Sequence, residues 1–312
     1  MKIREMTCLA ILMLLLGGCS EPGGGRGNDS AADGRVIVTT TIAQIADMVE
    51  AIGGDQVQVT ALCGPGVDPH LYKASQSDIS QFSRSNVIFY NGLNLEGRME
   101  DIFESMRTMG KTTVAVAESV DRSRLLEPEG YQGHYDPHIW MDVSLWVQTI
   151  PAVLETLANL KPEAREQFEQ NAATYQKQLE QLHEEVREKI GSIPRERRVL
   201  ITAHDAFAYF GKAYDIEVMG LQGISTTSEF GLQDLKRLTD IIVERGVKAV
   251  FIESSVPARS IEALVAGCRE RGREISIGGE LYSDAMGEPG TDEGTYAGMI
   301  RHNVNTIAQA LK

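Results

Sequence analysis

From Arg35 onward, short runs of β-branched and other apolar residues alternate with longer stretches whose apolar positions recur every three or four residues. The first four runs are Arg35 to Thr41 (RVIVTTT), Gln56 to Leu62 (QVQVTAL), Asn86 to Tyr90 (NVIFY) and Thr112 to Val116 (TTVAV). They read as strands, and stretches such as Ile42 to Ile52 and Leu95 to Met109 read as the helices between them. The rhythm returns at Arg198 to Thr202 (RVLIT), Glu217 to Met219, Lys248 to Ile252 (KAVFI) and Glu274 to Ile277 (EISI). Alternating β and α units predict parallel sheets with helices on both faces. The expected fold is α/β, with two lobes that each contain a mainly parallel four-stranded sheet flanked by helices.

Between the two sets the pattern changes. Pro162 suits a first helical turn, and the next Gly or Pro comes only at Gly191 and Pro194. Glu163 to Ile190 is rich in charged residues and Gln, with Phe168, Tyr175, Leu179, Leu182, Val186 and Ile190 at helical spacing. A continuous helix here would be about 40 Å long. A coiled-coil partner would need a longer and more regular apolar stripe, so a rigid connector between lobes is preferred. Residues 35–160 then form the N-terminal lobe, 161–191 the connector and 192–312 the C-terminal lobe. A last helix, roughly Tyr296 to Leu311, carries Ile300, Val304, Ile307 and Leu311 on the side that closes the second core.

The first residues follow another pattern. Lys2 and Arg4 precede an apolar run from Cys8 to Leu16 that is too short to span a bilayer, as in an export signal. Leu16-Gly17-Gly18-Cys19 resembles a bacterial lipobox, in which cleavage before the cysteine accompanies acylation of its thiol. The alternative is an ordinary signal or an uncleaved anchor with a chance cysteine. Position, small residues and the Gly-rich polar stretch that follows favour a lipoprotein: signal 1–18, then a flexible tether 19–34.

Composition narrows the function classes. Of 312 residues 42% are hydrophobic and 24% charged, ordinary for a folded chain of this length and against disorder. With 44 acidic against 30 basic residues and no basic tract, a nucleic-acid partner is disfavoured. Removing residues 1–18 takes away Lys2, Arg4 and Glu5 and moves the formal charge from -14 to -15. An acidic surface tolerates cations without selecting any. Four cysteines make no disulfide framework. Cys8 leaves with the signal and Cys19 would carry lipid. Cys63 and Cys268 remain, as two buried thiols in preference to one disulfide.

The candidate chemistry lies in the histidines. Of six, His70 and His138 occur in the same tripeptide, Asp68-Pro69-His70 and Asp136-Pro137-His138, and His204 adjoins Asp205. Proline stiffens the backbone that presents each imidazole. The adjacent carboxylates could hold the ring N–H groups. All three histidines follow expected strands, and in open α/β sheets ligands bind beyond the carboxyl ends of strands. A metal in a cleft between the lobes accounts for histidines drawn from both halves. His183 and His302 sit on helices and are expected at the surface or in packing, and His134 in a loop. Three imidazoles need a fourth ligand or an open position. Glu280, Asp284 and Glu253 are the candidates, and each could instead be a solvated carboxylate or a helix cap.

The motifs VDPHLY, YDPHIWMD, TAHDAFAYFGKAY, LQGISTTSE, FIESS and IGGELYSDAMG closely resemble those of the TroA-like zinc/manganese-binding proteins of bacterial ABC importers. The resemblance runs from Arg35 to Leu311, with each motif in family order and spacing. It implies two α/β lobes joined by one long helix, with a divalent metal buried in the cleft. Carried over residue by residue, it implies His70, His138, His204 and Asp284 as ligands, with Glu280 and Glu253 outside the set. The implied role is non-enzymatic: an exported, lipid-anchored monomer takes up a divalent ion and passes it to the permease and ATPase of an importer.

Three His and one carboxylate suit Zn²⁺, while manganese sites favour more oxygen donors. In the resembled family, manganese-selective members often have a carboxylate at the position of His204, and zinc-dedicated members a long His-rich loop before the second motif. This chain has neither, so zinc is the first expectation and manganese close behind. The competing class is a zinc hydrolase with an open three-His site and Glu280 or Glu253 as base. The chain lacks His-Glu-x-x-His, and a fourth protein ligand would close the shell. A siderophore-binding or adhesin-like protein on the same fold would not need the three histidines together.

Overall fold

The structure, a computed structural model, describes residues 34–128, 133–228 and 230–312. The expected signal, tether and lipid-bearing Cys19 lie outside the described residues. In the first lobe, β1 (Val36–Ile42) is buried along its whole length, as the apolar, β-branched sequence demands of a strand covered on both faces. It pairs in parallel with β2 (Val57–Cys63) and with β3 (Val87–Tyr90), and β3 pairs with β4 (Thr112–Ala115). The order is β2-β1-β3-β4, and the edge strands carry the more exposed residues. Helices α1 (Ala43–Gly53), α2 (Gln76–Arg84) and α3 (Glu100–Thr108) make the crossovers.

Helix α3 starts five residues later than its apolar spacing predicts, and the cause is local. Gly92, Leu93 and Asn94 all have positive φ. The Glu96 carboxylate accepts hydrogen bonds from the backbone N–H groups of Asn91 and Gly92 at 2.7 and 3.1 Å, and from the Thr41 hydroxyl at 2.6 Å. That buried carboxylate holds a turn where a helix would otherwise begin. Beyond β4 come two more helices, α4 (Val143–Trp146) and α5 (Ile150–Leu160).

The connector α6 (Arg165–Gly191) is a continuous 27-residue helix preceded by a tight turn at Pro162–Ala164. Its buried stripe is the expected one with Ala172 added. Tyr175 donates to the Asp47 carboxylate on α1 at 3.0 Å, and Arg301 of the last helix, α10 (Tyr296–Leu311), donates to Glu185 at 2.9 Å. The core along this helix also takes in Phe207, Phe210, Phe251 and Leu281 from the second half. The two lobes therefore share apolar packing beneath their cleft.

The second lobe differs from expectation in one respect. Its strands are β5 (Val199–His204), β6 (Glu217–Gln222), β7 (Ala249–Glu253) and β8 (Ser276–Leu281). They form two parallel pairs, β5-β6 and β7-β8, in place of one four-stranded sheet. At the end of β5, where a ladder to neighbouring β7 would continue, the His204 N–H is taken by the Glu253 side chain at 2.8 Å. The β7-β8 register also shifts between Val250 and Ile252. Strands β6 and β8 run past their β-branched residues into glycines. At Gly278 a Cβ would come within 2.7 Å of the Phe251 ring, so close packing explains a glycine inside a strand. Helices α7 (Ala208–Tyr214), α8 (Leu232–Arg245) and α9 (Arg259–Glu270) complete the lobe. Cys63 and Cys268 are buried free thiols, as expected. No helix among the described residues is long and apolar enough to cross a membrane.

Candidate metal centre

Each candidate histidine lies at or beyond the carboxyl end of a strand: His70 after β2, His138 after β4, His204 as the last residue of β5. Asp284 follows β8 in the same way. The fold brings these four together, all buried, with one ligand atom of each within 4.8 Å of the others. His70 Nε2 and His138 Nε2 are 3.2 Å apart. Asp284 Oδ1 is 3.4 Å from His138 Nε2, and its Oδ2 is 3.3 Å from His204 Nε2 and 3.7 Å from His70 Nε2. Four donors about 2.0–2.1 Å from a tetrahedral ion stand about 3.4 Å from one another. His204 Nε2 and both Asp284 oxygens are buried without a hydrogen-bond partner, although nearly all buried polar groups have one.

The other carboxylates orient the rings. Asp136 Oδ1 accepts from the His138 N–H at 2.9 Å and lies 2.7 Å from its Nδ1, which leaves Nε2 facing the cluster. Glu253 does the same for His204, with Oε1 on the backbone N–H and Oε2 2.5 Å from Nδ1. Asp68 accepts from the His70 N–H at 2.8 Å. Sequence adjacency thus located Asp136 but missed Glu253, whose 49-residue separation from His204 gives no local signal. Glu280 is exposed and stands apart from the four. His302 lies against Tyr282, His183 against Tyr214, and His134 is exposed.

Two side chains of the first lobe hold the segment that carries Asp284. Trp140 Nε1 donates to the Ser283 carbonyl at 2.9 Å, and Gln44 Nε2 to the Asp284 carbonyl at 3.2 Å. The Tyr296 hydroxyl donates back to the Trp140 carbonyl at 2.7 Å. Neither Gln44 nor Trp140 stands out from the apolar pattern around it.

The charges of the cluster are set by these neighbours. Burial holds the His70 imidazole down at about 3, so it is neutral. Burial also opposes charge on His138, but Asp136 and Asp284 outweigh it and push that imidazole up to about 9. His204 rises well above the ordinary value because Glu253 and Asp284 overcome its burial. Asp284 is buried too, yet His204 and His138 hold its carboxyl well below the usual range. Without metal, then, a carboxylate sits between two imidazoliums, a compensated arrangement that a divalent cation can replace by expelling protons.

Comparison with known proteins agrees with this architecture. The family described as "ZnuA: Zinc-uptake complex component A periplasmic" matches residues 38–310. The manganese-binding lipoprotein MntA of Bacillus subtilis is 46% identical over 307 residues, 98% of each chain. The zinc-binding protein TroA of Treponema pallidum is 46% identical over 310 residues, 99% of each. A solved structure of periplasmic TroA from Treponema pallidum superposes with a TM-score of 0.87 at 47% identity, covering 89% of this chain and 99% of that one. The resemblance carried by the motifs is thereby borne out: the chain belongs to the ZnuA family.

Proposed function

We propose that this protein is the extracytoplasmic substrate-binding component of a metal importer. It captures one divalent transition-metal ion through the Nε2 atoms of His70, His138 and His204 and the carboxylate of Asp284, and delivers it to an ABC permease driven by its ATPase. The observation that carries this reading is the set of four buried side chains whose five facing atoms stand 3.2 to 3.7 Å apart in the closest pairs, with His204 Nε2 and both Asp284 oxygens lacking a hydrogen-bond partner. The family match and two relatives named for zinc and manganese binding support it. With the signal 1–18 removed, lipid on Cys19 would tether the lobes, 35–160 and 192–312, to the outer face of a membrane.

The cargo is zinc by donor chemistry, since three nitrogens and one oxygen suit a tetrahedral Zn²⁺. Manganese is the second choice. Identity to the relatives does not separate the two, because MntA and TroA stand equally near at 46%. A hydrolase would need a coordination position open to substrate, and Asp284 already faces all three Nε2 atoms. The test is competitive titration of metal-free protein with Zn²⁺ and Mn²⁺, repeated with His204→Glu. The wild type should prefer Zn²⁺, and His204→Glu should narrow that preference. A wide preference of the wild type for Mn²⁺ overturns the zinc assignment, and failure to bind either ion overturns the metal site.

A further inference from the structure

The two Asp-Pro-His tripeptides do not work alike. Asp136 spends one oxygen on both the backbone and the ring of His138. Asp68 holds only the His70 backbone N–H with Oδ1, and its Oδ2 accepts a 2.6 Å hydrogen bond from the hydroxyl of Thr226. Thr226 belongs to the other lobe, 158 residues away, in the segment after β6. It lies within the LQGISTTSE motif, which none of the four cluster residues explains.

Thr226 is itself tied to the cluster from behind. Gln222 is the register partner of His204 in the β5-β6 pair, and its side-chain amide donates to the Thr226 carbonyl at 3.0 Å. A continuous path therefore runs from His204 through Gln222, Thr226 and Asp68 to His70, joining a histidine of one lobe to a histidine of the other without passing through a metal. Thr226 is 8% exposed and His70 3%. Asp68, Leu71, Gln222 and Thr226 also line a cavity of about 500 Å³, together with Val256 and Ser260 of the second lobe.

We propose that Thr226 is a positioning residue of the metal site, whose hydroxyl latches Asp68 and so holds His70 in register with His204, and that this latch sets the rate at which the ion leaves. The inference rests on the metal-binding reading above. For an ion to depart, the two lobes must part, and the Thr226–Asp68 bond joins them across the cavity that Asp68 and Thr226 both line. A hydrogen bond to a carboxylate that exists in the closed state and is broken on opening slows opening without assisting entry.

The test is stopped-flow dissociation of Zn²⁺ from the full chain into excess chelator, with association measured separately. Thr226→Val keeps the shape and removes the hydroxyl. Its dissociation rate should rise about tenfold, with association changed less than about twofold. Thr226→Ser should restore the wild-type rate. In an Asp68→Ala background, Thr226→Val should add nothing, because the partner is already gone. An unchanged dissociation rate in Thr226→Val, or an equal added effect in the Asp68→Ala background, overturns the latch. Absence of Zn²⁺ binding by the wild type would instead overturn the reading on which it rests.

Discussion

Glu253 receives two hydrogen bonds from His204, one from the backbone N–H at 2.8 Å and one from ring Nδ1 at 2.5 Å. One carboxylate thereby fixes both where the residue sits and which nitrogen faces the cluster. The N–H it accepts is that of the last residue of β5.

Loss of that carboxylate should be felt at the metal. Partners that orient a ligating imidazole typically account for about 10- to 100-fold in affinity. Glu253→Gln is expected to weaken Zn²⁺ binding within that range in a chelator competition, while circular dichroism of the variant stays that of the wild type. Glu280→Ala, on an exposed residue outside the cluster, should leave the affinity unchanged.

Metal uptake should release protons. In the metal-free protein His138 titrates at about 9 and His204 higher than an ordinary imidazole, so both are charged at neutral pH. A bound ion requires neutral Nε2 atoms. Apparent affinity should rise with pH through the neutral range and level off only above about 9. Mixing Zn²⁺ with metal-free protein in weak buffer at pH 7 should acidify the solution, and no measurable release would contradict this charge state. The stability of metal-free protein moves the other way. The contribution of His138 is fully present below the ordinary value of 6.5 and is lost as pH rises through about 9.

Asp47, on α1 and outside the four-residue cluster, offers a separate pH effect. Burial pushes its carboxyl up from 3.8 to about 6, although the Tyr175 hydroxyl on α6 partly opposes the shift. The folded state thus binds more protons than the unfolded one between these values, so stability should fall as pH rises from about 4 to 6. Asp47→Asn retains an acceptor for Tyr175 and cannot ionise. Denaturant midpoints across this range should be flatter for Asp47→Asn than for the wild type.

Trp140 tests the hold of the first lobe on Asp284. Trp140→Phe keeps most of the buried ring but leaves the Ser283 carbonyl without its 2.9 Å donor. The expected cost is about 1–3 kcal/mol of stability, measured by urea unfolding. Zn²⁺ affinity should fall as well, because the segment presenting Asp284 loses one of its two ties to the first lobe. An unchanged affinity would show that Gln44 and the second lobe suffice to place the carboxylate.

Much of this was legible along the chain because it is written in local periodicity. β-branched runs marked all eight strands, and one apolar stripe marked α6. The repeated Asp-Pro-His and a histidine closing a strand picked out three members of the cluster, since a proline-stiffened turn and a strand end are short-range features. The tertiary structure decided what depends on proximity across long separations. It chose Asp284 over Glu280 and Glu253 as the carboxylate facing the three imidazoles, because β8 and the ties from Gln44 and Trp140 deliver that one to the cleft. It gave Glu253 to the far side of His204, and it arranged the second lobe's strands as two pairs. It also turned the matching aspartates Asp68 and Asp136 to different uses, one reaching across the cleft and the other to its own histidine. Identical tripeptides cannot encode that distinction. It arises from what the folded chain places beside them.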